Sequence, residues 1–374
     1  MRILHVTDTY RPTIGGIEVL VESLSGRQTA AGHDVTVLTA TQAITSDRGN
    51  WAEARTPAAV VVRDTGALAR LVGEADCVHA HVSAFSPLAL RTAEVAARQG
   101  VPVVATVHSM WGHYWPVVRA ASMARSWSSL PIQWAAVSEA AAGPVRRALS
   151  GRPVMVLPNA IDMTVWAPRE ASRRDRGLTV VAVQRMTRRK RPLPLLAVLQ
   201  HVRAQVPAHL RLRAVLVGDG PQLAPLQRRI AGAGMMSWVE TPGALTHHQL
   251  RRLYRDSDVF VAPATLESFG IAALEARSSG LAVVGRTGTG VADFITHGVE
   301  GLLADDDLEM AGQLARLCRD RELLDRIGSH NRSHRPVLDW ADTLWRTGYA
   351  YSAAAELAVA AEGTAVRLGS VGAA

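Results

Sequence analysis

Apolar residues come in two rhythms along this chain. Short, nearly continuous runs recur: RILHVTD (2–8), DVTVLTA (34–40), AVVVR (59–63), DCVHAHV (76–82), VPVVATVH (101–108), WAAVS (134–138) and VMVLPN (154–159). Runs of that length, rich in β-branched residues, predict strands buried on both faces, as in parallel sheets. Between them lie Ala- and Leu-rich stretches such as 17–31 and 87–99, whose apolar spacing predicts helices. Strands alternating with helices predict an α/β domain, a parallel sheet with covering helices.

The alternation breaks at WAPREASRRDRG (166–177), where charge replaces any apolar period, and a linker is expected there. It restarts with LTVVAVQRM (178–186), LRLRAVLVGDG (210–220), SWVET (237–241), VFVAPA (259–264), LAVVG (281–285) and GLLAD (301–305). Two successive α/β domains follow, expected over 1–168 and 169–335, each with a doubly wound sheet. Residues 336–374 are left for a last helix and an Ala-rich tail, with disorder expected in the final dozen residues. Ligands of doubly wound sheets sit outside the carboxyl ends of the strands, so the cleft between two such domains is the expected site.

Length and composition change this picture little. At 374 residues and 48% apolar, the chain suffices for two cores. No run of 18 uncharged apolar residues occurs, and MRILHVTDTYRP carries charge within its short apolar run, so neither a membrane span nor a signal peptide is expected. Cys77 and Cys318 lie in core-like segments without metal spacing, which predicts a reduced, cytoplasmic protein. The net charge of +8 admits nucleic acid, an anionic membrane or a phosphorylated substrate as partner. No nucleic-acid motif is present. The make-up of the charge says more: of 41 basic residues only Lys190 is lysine. Where arginine serves wherever either cation will do, a lone lysine is either a place for a compact ammonium or a chance survivor.

Candidate chemistry gathers at strand ends. Gly15-Gly16 stand between the first strand and a helix, where backbone amides can approach an anion, though a bare Gly-Gly is also an ordinary turn. Gly218 and Gly220 in VGDGPQ read mainly as turn chemistry. Arg185 and Lys190, in VQRMTRRKRP, follow the first strand of the second domain, where they can neutralise a diphosphate; Arg188, Arg189 and Arg191 read as a solvated charge run. LESFGIAALEA puts Glu267 in a loop and Glu275 in the helix after it. A carboxylate accepts two hydrogen bonds from vicinal hydroxyls, and the amides of Phe269, Gly270 and Ile271 point from the helix start. A cap plus a surface residue is an equal reading of that pair. His108 ends a strand, where a lone histidine is more often structural; His79, His81 and His113 receive no role. SMWGHYWPVVRAASMARSWSSLPIQW holds four tryptophans, several arginines and no acid, which fits a helix packed on its own domain or a peripheral membrane contact.

These motifs, in this order, resemble the retaining glycosyltransferases of family 4, which have the two-domain GT-B fold. The resemblance runs from GGIE, AGHDVTVLT, VPVVATVH, AVSEA and LPNAID to the QR…K segment, LVGDGP, LYRDSDVFVAPATLESFGIAALEA and GVEGLL. It implies that Glu267 and Glu275 form the E-x7-E pair that grips a nucleotide sugar. Glu275 would bind the ribose and Glu267, with the following amides, the donor sugar. It further implies that Arg185 and Lys190 hold the pyrophosphate, that Gly16 closes over the phosphates, and that His108 lies beside the reacting sugar. Gln184 departs from the family's glycine before the arginine, and Thr289-Gly290-Val291-Ala292-Asp293 from its Gly-Gly-x-Pro-Glu. The donor implied is a nucleoside diphosphate sugar, UDP favoured, with retention at the anomeric carbon and the last helix crossing back onto the first domain. No metal is expected. Asp256 and Asp258 precede a strand and so belong at the wrong sheet edge, and Asp305 to Asp307 read as a solvated loop. The rival readings are a related nucleotide-sugar epimerase and a basic module that binds nucleic acid or membrane. Acceptor and oligomeric state stay open.

Overall fold

The computed structural model describes residues 1–12, 15–41, 58–61, 65–112, 114–168 and 177–371. They form two compact units, Met1–Ala160 with Trp340–Ala374, and Ile161–Asp339.

In the first unit the strands are β1 (Arg2–Thr7), β2 (Asp34–Thr39), β3 (Ala58–Val61), β4 (Cys77–Val82), β5 (Val103–Val107), β6 (Gln133–Ala136) and β7 (Met155–Val156). All pair in parallel, in the order β3-β2-β1-β4-β5-β6-β7. The chain leaves β1 toward one edge, returns, and continues from β4 toward the other, so the topological switch point lies between β1 and β4. β4 and β5 are buried along their whole length, as strands covered by helices on both faces must be. The helix Trp340–Val371 packs here, with Ala350, Tyr351 and Ala354 in one apolar cluster with Ile3, Cys77, Val104 and Ala135. It runs through the Ala-rich end as far as Val371, where the composition suggested disorder; alanine is the strongest helix former.

The second unit has β8 (Leu178–Val183), β9 (Leu212–Val217), β10 (Val239–Gly243), β11 (Val259–Val261), β12 (Ala282–Arg286) and β13 (Gly301–Ala304), parallel, in the order β10-β9-β8-β11-β12-β13. Its switch point lies between β8 and β11. Leu178, Val180 and Ala182 of β8 share one core with Leu195 and Leu199 of the helix Pro192–Gln205 and Leu314 of the helix Asp307–Arg319.

The unit boundaries fall at 160 and 340 rather than at 168 and 336. Ile161 bridges to Asp339, and buried Trp166 packs on Tyr254 with ring centroids 5.5 Å apart, which ties 161–168 to the second unit. Residues 169–176 of the expected linker lie outside the described residues. Cys77 and Cys318 are buried and free, and burial raises each thiol to about 12. Among the described residues no helix is long and apolar enough to cross a membrane.

Candidate functional site

In the second unit two loops meet at the switch point. The loop after β8 ends in a short helical turn, Arg188–Lys190, and the loop after β11 carries Glu267. Lys190 Nζ lies 2.5 Å from Glu267 Oε2, and both side chains are mostly buried. The β8 loop is held from beneath by the turn after β9. Met186 N donates to Asp219 O at 2.7 Å and Gln222 N to Met186 O at 2.8 Å. Gly218 and Gly220 have φ of 135° and 142°, and a Cβ on them would lie 1.8 Å from Gln184 O and 2.7 Å from Met186 O. These glycines therefore permit a close backbone approach as well as a turn.

The neighbouring arginines are not one solvated run. Arg191 forms a fork on Asp307, at 3.0 and 2.7 Å, and buried Arg286 donates to the same carboxylate. Arg189 Nε reaches Leu266 O at 3.4 Å. The acidic run 305–307 is likewise structural, since Asp306 caps its helix and Asp307 anchors the residue that follows Lys190. Charge composition cannot separate a solvated run from ions paired across the fold. Arg185 is different: its side chain is exposed, and among the described residues no carboxylate pairs with it.

The Glu267 loop is fixed on several sides. Gly290 N donates to Glu267 O at 2.8 Å, and a Cβ on Gly290 would lie 2.2 Å from Ser268 O. Phe269 is buried against Phe294, with ring centroids 5.6 Å apart. Gly270 caps the helix Ile271–Ser278 with φ of 92°, a left-handed conformation that favours glycine. The helical hydrogen bonds begin at Ala273, whose N–H donates to Gly270 O at 2.9 Å, so the amides of Ile271 and Ala272 carry the positive end of the helix. One turn on, Glu275 is buried, and no protein donor among the described residues reaches its carboxyl group. Burial pushes that group up to about 8, and its charge helps burial to raise the Tyr254 hydroxyl as well. A cation, a carboxylate, helix-start amides and a buried carboxyl group thus serve one side of the sheet, a donor set that suits a diphosphate and hydroxyls. Asp258 lies at the other end, where its Oδ2 accepts from Thr179 N at 2.7 Å near the start of β8.

His108 and the Gly15-Gly16 pair belong to the first unit. His108 follows β5, is buried, and meets His81 Nδ1 through Nε2 at 3.0 Å. His81 and His79, given no role by the sequence, are part of a buried network that includes His5. Burial lowers His108 to about 3, so its ring stays neutral. His113 lies outside the described residues. Gly15 caps the helix Gly16–Ala30, and Glu18 folds back so that a Cβ on Gly15 would lie 2.3 Å from Glu18 Oε2. Thr9 Oγ1 donates to the other oxygen of Glu18 at 2.7 Å. In the tryptophan-rich segment Trp111, Trp127 and Trp134 are buried, and Glu94 takes bonds from both Arg125 and Trp127. Val117 and Met123 remain exposed on the helix Trp115–Arg125. Asp307 and the inner histidines carried no recognisable motif, because each acts through partners far away in the chain, whereas Gly290 stood in the altered Gly-Gly-x-Pro-Glu segment without its close approach to Ser268 being visible.

Comparisons with known proteins agree on the class. Residues 14–165 match the family model described as Glycosyltransferase Family 4, and residues 167–334 match Glycosyl transferases group 1. A phosphatidylinositol N-acetylglucosaminyltransferase of Arabidopsis thaliana is 26% identical over 375 residues, covering 95% of this chain and 82% of that protein. A D-inositol 3-phosphate glycosyltransferase of Geodermatophilus obscurus is 29% identical over 230 residues, 58% of this chain and 50% of its own length. Among solved structures, Anabaena HepE in complex with UDP superposes with a TM-score of 0.74 at 20% identity, over 94% of this chain and all of that one. A Rickettsia africae glycosyltransferase gives 0.72 at 14% identity, over 94% of this chain and 98% of that one. The fold is GT-B.

Proposed function

The chain belongs to the family 4 glycosyltransferases, and we propose that it moves a sugar from a UDP-sugar to an acceptor hydroxyl, with retention at the anomeric carbon and without a metal ion. The observation that carries this is the Lys190–Glu267 contact at the switch point of the second unit, in the loop that leads into the helix of buried Glu275. In this reading Glu275 takes the ribose hydroxyls. Glu267 and the amides of Phe269, Gly270 and Ile271 hold the donor sugar, while Arg185 and Lys190 neutralise the diphosphate. Gly15 and Gly16 close over the phosphates, and His108 contacts the sugar.

The chemistry follows from where charge grows. The bond from the anomeric carbon to the diphosphate oxygen breaks, and its electron pair goes to the leaving group. Lys190, Arg185 and the helix amides stabilise that charge without reorganising. The acceptor oxygen bonds to the anomeric carbon from the same face, and its proton passes to the departing phosphate. UDP as the nucleotide is supported by the UDP complexes of HepE, and inositol 3-phosphate and phosphatidylinositol as first acceptors to assay by the names of two relatives. Lipid carriers, glycan ends and aminocyclitols complete the panel. Work in the cytoplasm suits a nucleotide-sugar donor. The outward Val117, Arg119 and Met123 form the surface for a peripheral contact with an anionic membrane, which vesicle flotation tests.

The test is a screen of UDP-, GDP- and ADP-sugars against that panel in excess EDTA, read by mass spectrometry, with the product anomer read by NMR. Transfer with an unchanged anomeric configuration is expected. Inversion, or activity restored only by magnesium or manganese, would refute the mechanism. Release of an epimerised sugar nucleotide without acceptor would point to an epimerase.

A further inference from the structure

Three consecutive cations lie on the loop that carries Glu267. Arg189 Nε reaches Leu266 O at 3.4 Å, Lys190 Nζ reaches Glu267 Oε2 at 2.5 Å, and Arg191 Nη1 reaches Pro263 O at 3.3 Å. Arg189 and Lys190 belong to the short helical turn, while Arg191 stands between that turn and the helix Pro192–Gln205. Its backbone has φ of 60° and ψ of 43°, in the left-handed region. Among the described residues only two others that are not glycine have positive φ, Ser126 and Ser150. Residues with a Cβ avoid that region, and a proline in the next position favours extended backbone instead. The local sequence therefore gives no reason for the turn that follows Lys190.

The reason lies in the side chain. Arg191 makes a two-pronged fork on Asp307, with Nη1 3.0 Å from Oδ1 and Nη2 2.7 Å from Oδ2. A planar guanidinium on a carboxylate fixes direction as well as distance. Asp307 is itself held. It opens the helix Asp307–Arg319 behind its cap Asp306, and Arg286 at the end of β12 donates to its Oδ1. The Arg286 side chain is only 3% exposed and has little room to leave. Burial lowers this guanidinium from its ordinary value, and the nearby Arg191 charge lowers it further, so one carboxylate answers two cations. The helices on either side of the fork share one core through Leu195, Leu199 and Leu314, which keeps Asp307 within reach. The fork is partly open to water, where a lone ion pair contributes little; a bidentate pair inside a network still holds geometry.

We propose that Asp307 and Arg191 are positioning residues: their fork holds Arg191 in the left-handed turn and thereby aims the Lys190 ammonium at Glu267 and at the leaving diphosphate. Arg286 fixes the carboxylate from its other side. The functional half of this rests on the reading of Lys190 as the cation of the diphosphate. Misplacing a group that stabilises charge by about 1 Å costs up to about 10²-fold in rate, so the turn that sets its direction matters. Glycine adopts the same turn with no side chain to hold it, which separates the geometric role from a purely electrostatic one.

Lys190 is the sole lysine, so labelling the full chain with 13C,15N-lysine gives one side-chain NMR signal that reads this ammonium directly. Glu267→Gln should move that signal and so mark the unpaired position. Arg191→Ala should move it the same way and lower kcat on the order of tenfold, with acceptor KM unchanged. Arg191→Gly should keep the signal near its parent position and kcat within about threefold of the parent. In a Lys190→Ala background, Arg191→Ala should change kcat by less than about twofold, since the group it aims is gone. Should Arg191→Ala fail to fold, Asp307→Asn weakens the same fork from its far end and should displace the same signal. An unmoved lysine signal in the variant that folds would overturn the proposal. So would glycine proving no better than alanine, or an undiminished effect of Arg191→Ala in the absence of Lys190. If the signal moves as expected while Lys190→Ala leaves transfer unchanged, the positioning stands and the reading of Lys190 as the diphosphate's cation falls.

Discussion

Replacing Glu275 with glutamine should stabilise the chain while impairing it. Burial raises this carboxyl group from 4.5 to about 8. Because the folded value lies above the unfolded one, the group's contribution is fully present below about pH 4.5 and is lost as pH rises toward 8. At pH 7 the unfolded chain ionises the group while the folded chain keeps its proton, which costs about 3 kcal/mol; at pH 5 the cost is under about 1 kcal/mol. Glutamine has the same shape and no such term. In urea unfolding, the stability of Glu275→Gln relative to the parent should therefore rise by about 2–3 kcal/mol from pH 5 to pH 7 and level off above pH 8. The offset at any one pH also contains the cost of burying an amide, so the slope is the test. Donor affinity should fall on the order of 10- to 100-fold, because the ribose loses a charged acceptor. Calorimetry of the parent at pH 7 should show proton release on donor binding, since hydroxyl donors favour the ionised form. A pH-independent stability gap, or unchanged donor affinity, would refute the reasoning.

The buried histidines should act in the opposite sense. His5 is lowered to about 4 and His108 to about 3, so the stability they contribute above pH 6.5 is lost as pH falls, by about 4 kcal/mol together at pH 5. Hydrogen exchange should then show β1 and β4 losing protection between pH 7 and pH 5 before β8 and β11 do; equal loss in both sheets would count against it. Lys190→Ala should lower kcat on the order of 10²–10³-fold with little change in acceptor KM, and Lys190→Arg should restore only part of this. Full rescue by arginine would make the lone lysine an accident of codon usage. Gly290→Ala places a methyl group 2.2 Å from Ser268 O and should displace the Glu267 loop, lowering kcat about 10²-fold and stability by about 1–3 kcal/mol. Ordinary kinetics and an unchanged Tm in that variant would show that the loop yields freely.

The strands, the covering helices and the two-domain plan could be read from the chain because periodicity and β-branching act on neighbouring residues, and so leave a local record. The glutamate pair was legible as a candidate for the same reason, since Glu267, Gly270 and Glu275 lie within one loop and one helix. What acts across long separations left no such record. Lys190 meets Glu267 across 77 residues, Arg191 meets Asp307 across 116, and Gln28 meets Tyr351 across 323. Nothing in TRRKRP distinguishes the arginine that grips a carboxylate from those that face water. Nothing in DCVHAHV tells that one of its histidines meets both His5 and His108. The raised Glu275 carboxyl and the neutral histidines likewise depend on dehydration, which arises only when distant apolar faces close over them. Local spacing determined which residues were candidates; the order of the strands, and the burial that comes with it, decided what each one touches and in which protonation state it does so.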